Sequence, residues 1–157
     1  MHTSKALYLT LLLSIASAIP TPAVLAPRAG GPAIVPIPET CRVATPLPIA
    51  KEGSTSYLPS PASGSDILYS AYYPSFSPNK TAMAQQCAQQ CYGYGNHTEC
   101  KTAYWAEKVV VPAGYYGTPG GQLSTACLFF TRPLSAADFT VAPAGQATGA
   151  FAGTIAC

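Results

Sequence analysis

A chain of 157 residues, 48% of them apolar, has the material for one small hydrophobic core. Eight Lys and Arg face six Asp and Glu, giving a net charge of +2 with 9% charged residues. That balance excludes the clustered basic surface that a nucleic-acid groove or an anionic membrane patch requires.

Met1 to Ala18 reads as a secretory signal, with Lys5 as the positive start, an apolar run from Ala6 to Ala16, and Ala16-Ser17-Ala18 as a small-residue cleavage site. The run is short for a bilayer span, no second one follows, and the chain stops at Cys157 without a lipid-anchor tail. The mature protein is therefore expected to be soluble and exported, extracellular or cell-wall associated. Loss of Lys5 leaves seven basic against six acidic residues, a charge of +1. Export places six cysteines, Cys41, Cys87, Cys91, Cys100, Cys127 and Cys157, in an oxidising compartment, where three disulfides are expected. Zinc is the alternative, but the spacing lacks a C-x-x-C pair.

Ten of the 16 prolines lie between Ile19 and Pro61. Proline has no ladder donor and disfavours helix in the residue before it, so this half forms no continuous layer. A flexible, polyproline-like arm is expected over residues 19–40, with Arg28 as a candidate propeptide cleavage point, and a folded domain over 41–157, tied to the arm by Cys41.

The first expected strand is Asp66 to Tyr73, with Ile67, Tyr69, Ala71 and Tyr73 on one face and Leu68, Ser70 and Tyr72 on the other. After Pro74 and Pro78 a short helix follows. Met83, Cys87 and Cys91 recur every four residues with Ala84 and Ala88 beside them, while Gln85, Gln86, Gln89 and Gln90 fall on the other side. Thr81 is the expected N-cap, and Gly93 or Gly95 the stop with positive φ. A bond between Cys87 and Cys91 lies at the limit of disulfide geometry within one helix turn, so each is expected to reach a different partner. Lys101 to Ala106 follows as a strand that Lys108 to Val111 continues, then a glycine-rich turn from Pro112 to Ser124. A strong strand runs from Thr125 to Thr131, a single turn from Ser135 to Phe139, and a last strand from Thr154 to Cys157.

This pattern resembles the PAN/apple domain superfamily, particularly the apple-like domains of secreted fungal proteins. The matching residues are Cys87-x-x-x-Cys91, Cys100 followed by Tyr104-Trp105, Ala126-Cys127-Leu128-Phe129-Phe130, and Asp138-Phe139, within a span from Cys41 to Cys157. The resemblance implies an α+β fold with one helix across a curved antiparallel sheet. It also implies the pairs Cys41 with Cys157, Cys87 with Cys127, and Cys91 with Cys100. In so small a domain each bridge is worth about 2 to 4 kcal/mol.

Asn79-Lys80-Thr81 and Asn96-His97-Thr98 are N-glycosylation sequons at the two ends of the helix. The acids Glu39, Glu52, Asp66, Glu99, Glu107 and Asp138 are scattered, which gives no opposed pair for acid catalysis. His97, the one histidine after the signal, sits inside a sequon, so a nucleophilic triad lacks its base. Gly120-Gly121 has neither a lysine nor a helix after it to cradle phosphate. Exposed aromatics remain as binding candidates, Tyr115 and Tyr116 in the glycine-rich turn and Tyr92 and Tyr94 near the helix end, while Trp105 reads as core. A secreted, non-enzymatic module without metal or cofactor is expected, binding an extracellular protein or polysaccharide as the resemblance implies. The alternative is a structural or host-directed small secreted protein whose arm engages a cell wall.

Overall fold

The computed structural model describes residues 31–49 and 55–157. The signal segment, Arg28, the first part of the proline-rich arm and Glu52 lie outside the described residues.

The chain forms an antiparallel α+β fold: β1 (Arg42–Ala44), β2 (Tyr57–Pro59), β3 (Ile67–Tyr73), α1 (Lys80–Tyr92), β4 (Thr102–Val110), β5 (Leu123–Phe130), β6 (Phe139–Val141) and β7 (Thr148–Ala156). Five strands make one sheet in the order β1-β7-β4-β5-β3, and β2 pairs with β6 in a separate ribbon. The central strands β4 and β5 are apolar on both alternating faces because both faces are covered. On one, Ala103, Trp105, Cys127 and Phe129 pack under Met83, Ala84, Cys87, Ala88 and Cys91 of α1. On the other, Tyr104, Ala106, Ala126, Leu128 and Phe130 pack with Leu134, Phe139, Tyr57 and Leu58. Tyr104 is fully buried, and its hydroxyl donates to the Tyr57 carbonyl at 2.8 Å, joining sheet and ribbon.

Three bridges hold the layers. Cys87 is bonded to Cys127, Cys91 to Cys100 and Cys41 to Cys157, with Cα separations of 5.8, 5.4 and 4.2 Å. These are the pairs that the apple resemblance implied, and no cysteine is left free. The first fixes α1 to β5, the second fixes the helix end to the approach to β4, and the third joins the start of β1 to the last residue.

The helix is capped differently from expectation. Asn79, not Thr81, is the N-cap: its Oδ1 accepts from the Ala82 N–H at 3.0 Å. Gly93 ends the helix with a right-handed φ of −73°, so it is needed for space and not for handedness. A Cβ there would strike the Ala33 carbonyl and the Val35 side chain. Gly95, at φ +55°, supplies the left-handed turn.

In β3 the register slips between Ile67 and Tyr69. Leu68 and Tyr69 therefore both pack against the α1-side core, and Ile67 is left 41% exposed, which corrects the strict alternation. The two segments 101–106 and 108–111 form the single strand β4, broken by a shift between Ala106 and Val109 at which Lys108 takes φ +56°. The final strand is longer than expected: β7 starts at Thr148, and its register pairs Gly153 with Ala103. The short strands β1, β2 and β6 were not foreseen. No helix among the described residues is long and apolar enough to cross a membrane.

Candidate functional site

The described part of the proline-rich arm is irregular, yet it is not loose. The Pro32 carbonyl accepts from Gln90 Nε2 at 3.3 Å, the Val35 N–H donates to the Gln89 carbonyl at 3.3 Å, and Ile37 packs against the α1-side core. The arm thus crosses the glutamine side of the helix before Cys41 and β1 carry it onto the sheet edge. Arm, helix and β7 enclose an open groove of about 780 Å³. Ile37 and Val43 line one wall, Thr81, Gln85 and Gln89 the other, and Phe151 is contributed by β7. A cleft of this volume accommodates a small ligand or one stretch of a polymer. Its side chains offer amides, a hydroxyl and apolar surface, with Glu39 and Lys80 as the charged groups, a combination that suits a hydroxyl-rich or peptide ligand.

Two charged residues line the groove, Glu39 and Lys80, and Lys80 is paired. Lys80 Nζ lies 2.6 Å from Glu107 Oε2, and Ser75 Oγ donates to Glu107 Oε1 at 3.1 Å. The Lys80 hydrogen bond, aided by Ser75, holds the Glu107 carboxyl below the ordinary range.

The expectation of scattered acids holds for Glu39, Glu99 and Glu107 but not for Asp66 and Asp138, which meet around Arg132. Arg132 Nε donates to Asp66 Oδ2 at 2.8 Å and its Nη2 to Asp138 Oδ1 at 2.6 Å. Asp138 also accepts from the Ser135 N–H at 2.7 Å and from Ser135 Oγ at 2.9 Å. Its carboxyl is held well below the ordinary range, first by the Arg132 hydrogen bond and then by Ser135, and the Arg132 guanidinium is pushed up correspondingly. This clamp ties the turn before β3 to the end of β5 and the turn before β6. The Arg132 guanidinium thus stands between the two acids. Sequence reasoning missed it because Asp66 and Arg132 are 66 residues apart.

The tyrosine pair separates into two roles. The Tyr115 hydroxyl accepts from the Tyr72 N–H at 3.1 Å, and its ring meets Tyr72 edge-on at 4.8 Å. It therefore covers backbone of the edge strand β3. Tyr116 is 88% exposed with φ +46°, its ring 4.6 Å from that of Tyr115. Of the two, Tyr116 is the one available to a ligand, and it stands on a loop held by Gly114 N–H to Thr118 O at 2.8 Å. Tyr94 packs with Tyr69 and Phe129, and Tyr92 stacks on His97, whose Nδ1 lies 2.7 Å from the Tyr92 carbonyl oxygen. Trp105 is fully buried in the core. The sequon residues Asn79 and Asn96 are both exposed, one at each end of α1. Among the described residues, no three His, Cys, Asp or Glu side chains gather as a metal site would require.

Compared with known proteins, the chain matches no protein-family model, no curated protein and no solved structure.

Proposed function

We propose that this chain is an exported, PAN/apple-like, non-enzymatic binding module that takes an extracellular polysaccharide or protein segment in the groove beside α1. The observation that carries the reading is the groove itself. It is open, of ligand size, and lined by amide and apolar side chains together with Glu39 and Lys80, the latter engaged with Glu107. The leader-like start and three disulfides support export, and a helix riveted at two points to an antiparallel sheet supports the apple-like assignment. Tyr116, fixed and outward, supplies a second contact point.

The test is retention of the mature protein on insoluble wall polysaccharides and on immobilised extracellular proteins. A Gln85→Ala/Gln89→Ala variant is expected to lose about tenfold in affinity, as removal of two hydrogen-bonding amides implies. Equal retention of wild type and variant on every surface that binds would reject the groove.

The proline-rich composition from Ile19 to Pro61 favours a second reading, a wall-associated structural protein whose arm engages the wall. Deleting residues 19–30 separates the two, because it spares the segment along α1: the binding-module reading expects retention to survive, and the structural reading expects it to vanish.

A further inference from the structure

Phe76 is 66% exposed, and its ring has one aromatic neighbour, Tyr73, at 5.8 Å between centroids. It stands three residues before Asn79, in the turn from β3 into α1, and Asn79-Lys80-Thr81 is a sequon. The turn is held in place: Ser75 Oγ is anchored on Glu107 at 3.1 Å, and the Asn79 N–H donates to Ser77 Oγ at 3.1 Å. The Asn79 side chain is oriented as well, because its Oδ1 accepts from the Ala82 N–H at 3.0 Å. A carboxamide is planar, so locking the oxygen onto the helix end turns Nδ2 away from it. Capping uses the oxygen and glycosylation uses the nitrogen, so one residue serves both.

We propose that an N-linked glycan on Asn79 lays the apolar face of its first N-acetylglucosamine on the ring of Phe76. The donor is a polyprenyl-pyrophosphate oligosaccharide. Nδ2 bonds to the sugar C1 and loses one proton, and the C1–O bond breaks with its electron pair leaving on the pyrophosphate. This rests on the export reading, since the donor is met in the secretory lumen. The pyranose C–H face complements the electron-rich face of the ring, and the contact takes an exposed aromatic out of water. At the second sequon the nearby rings are already engaged, with Tyr92 stacked on His97 at 4.8 Å. Tyr94 precedes Asn96 by two residues, but its ring is already engaged by Tyr69 at 6.1 Å and Phe129 at 6.0 Å. A glycan on Asn96 therefore projects into solvent, and one on Asn79 becomes part of the surface.

The experiment uses the full chain in an Asn96→Gln background, secreted from a eukaryotic host under its own leader and, in parallel, under a heterologous one. Peptide mapping reads occupancy of Asn79. Thermal unfolding then compares protein trimmed to a single N-acetylglucosamine with protein freed of sugar by a peptide amidase, which leaves a carboxylate at position 79 that can still cap the helix. The single-sugar form is expected to melt about 2 to 4 °C higher, and the difference is expected to vanish in Phe76→Ala. Thr81→Ala, which destroys the sequon and keeps the Asn79 cap, is expected to melt with the sugar-free form. An unoccupied Asn79 under the heterologous leader, or the same increment in Phe76→Ala, overturns the proposal. Failure of the native leader alone rejects export and leaves the contact of sugar and ring standing.

Discussion

Replacing Cys87 and Cys127 together by alanine removes the rivet between α1 and β5, and the cost can be set against that of the neighbouring rivet. The two cysteines are 40 residues apart, so the chain-entropy relation assigns their bridge about 4 kcal/mol at 25 °C. Cys91 and Cys100, nine residues apart, receive about 2.6 kcal/mol by the same relation. Loss of buried sulfur adds a cavity term of about 1 to 2 kcal/mol in either case. That term is similar for the two pairs, since the four cysteines are between 0 and 4% exposed, and it cancels in the comparison. The Cys87/Cys127 variant is therefore expected to be about 1.3 kcal/mol less stable than the Cys91/Cys100 variant. Its total loss, about 5 to 6 kcal/mol, approaches the whole stability of a small domain. Urea unfolding of the two double variants and the wild type, followed by tryptophan fluorescence of the buried Trp105, measures both quantities. A Cys91/Cys100 variant that is the less stable of the two, or a Cys87/Cys127 variant within about 1 kcal/mol of wild type, would refute the reasoning.

The N-cap assignment predicts that, in protein made without glycans, Asn79→Ala costs about 1 kcal/mol in urea unfolding while Thr81→Ala costs less than about 0.5 kcal/mol. The opposite ranking would return the cap to Thr81. The Arg132 clamp predicts an acid limb. Asp138 has a folded pKa depressed by Arg132 and Ser135, so its contribution is complete above the unfolded carboxyl value of about 3.9 and is lost as pH falls through and below it. Melting temperature is expected to drop from about pH 5 towards about pH 2 with a gentler slope in Asp138→Asn, and identical slopes would remove Asp138 from the acid response.

Much of the fold was legible because its centre obeys short-range rules. The four-residue recurrence of Met83, Cys87 and Cys91 marks the buried helix face, and the dense apolar runs of β4 and β5 mark strands covered on both sides. What escaped has a common cause, since short or small-residue strands gain their structure from partners distant in the chain. Leu58 pairs with Thr140 and Val43 with Ile155, and neither three-residue strand carries a period of its own. The early part of β7, Thr148 to Gly153, is mostly small apart from Phe151, and Gly153 has no room for a side chain because Val43 and Phe151 press on it, yet small residues in sequence resemble a loop.

The groove shows the same limit one level up. Gln85 and Gln89 were visible as the polar side of the helix, and a polar side ordinarily faces water. It becomes a wall only because the proline-rich arm, read as loose, is pinned across it by Val35, Ile37 and the Cys41 bridge. Proline removes ladder donors but also lowers the entropy lost when an extended segment docks, so the composition that forbids a strand favours a fixed strap. The bridge from Cys41 to Cys157 closes a separation of 116 residues and ties the far end of that strap to the last residue of the chain. The groove therefore depends on the bridge that lies farthest from the helix, and binding should be lost in a Cys41→Ala/Cys157→Ala variant that still keeps its two inner rivets and its buried Trp105.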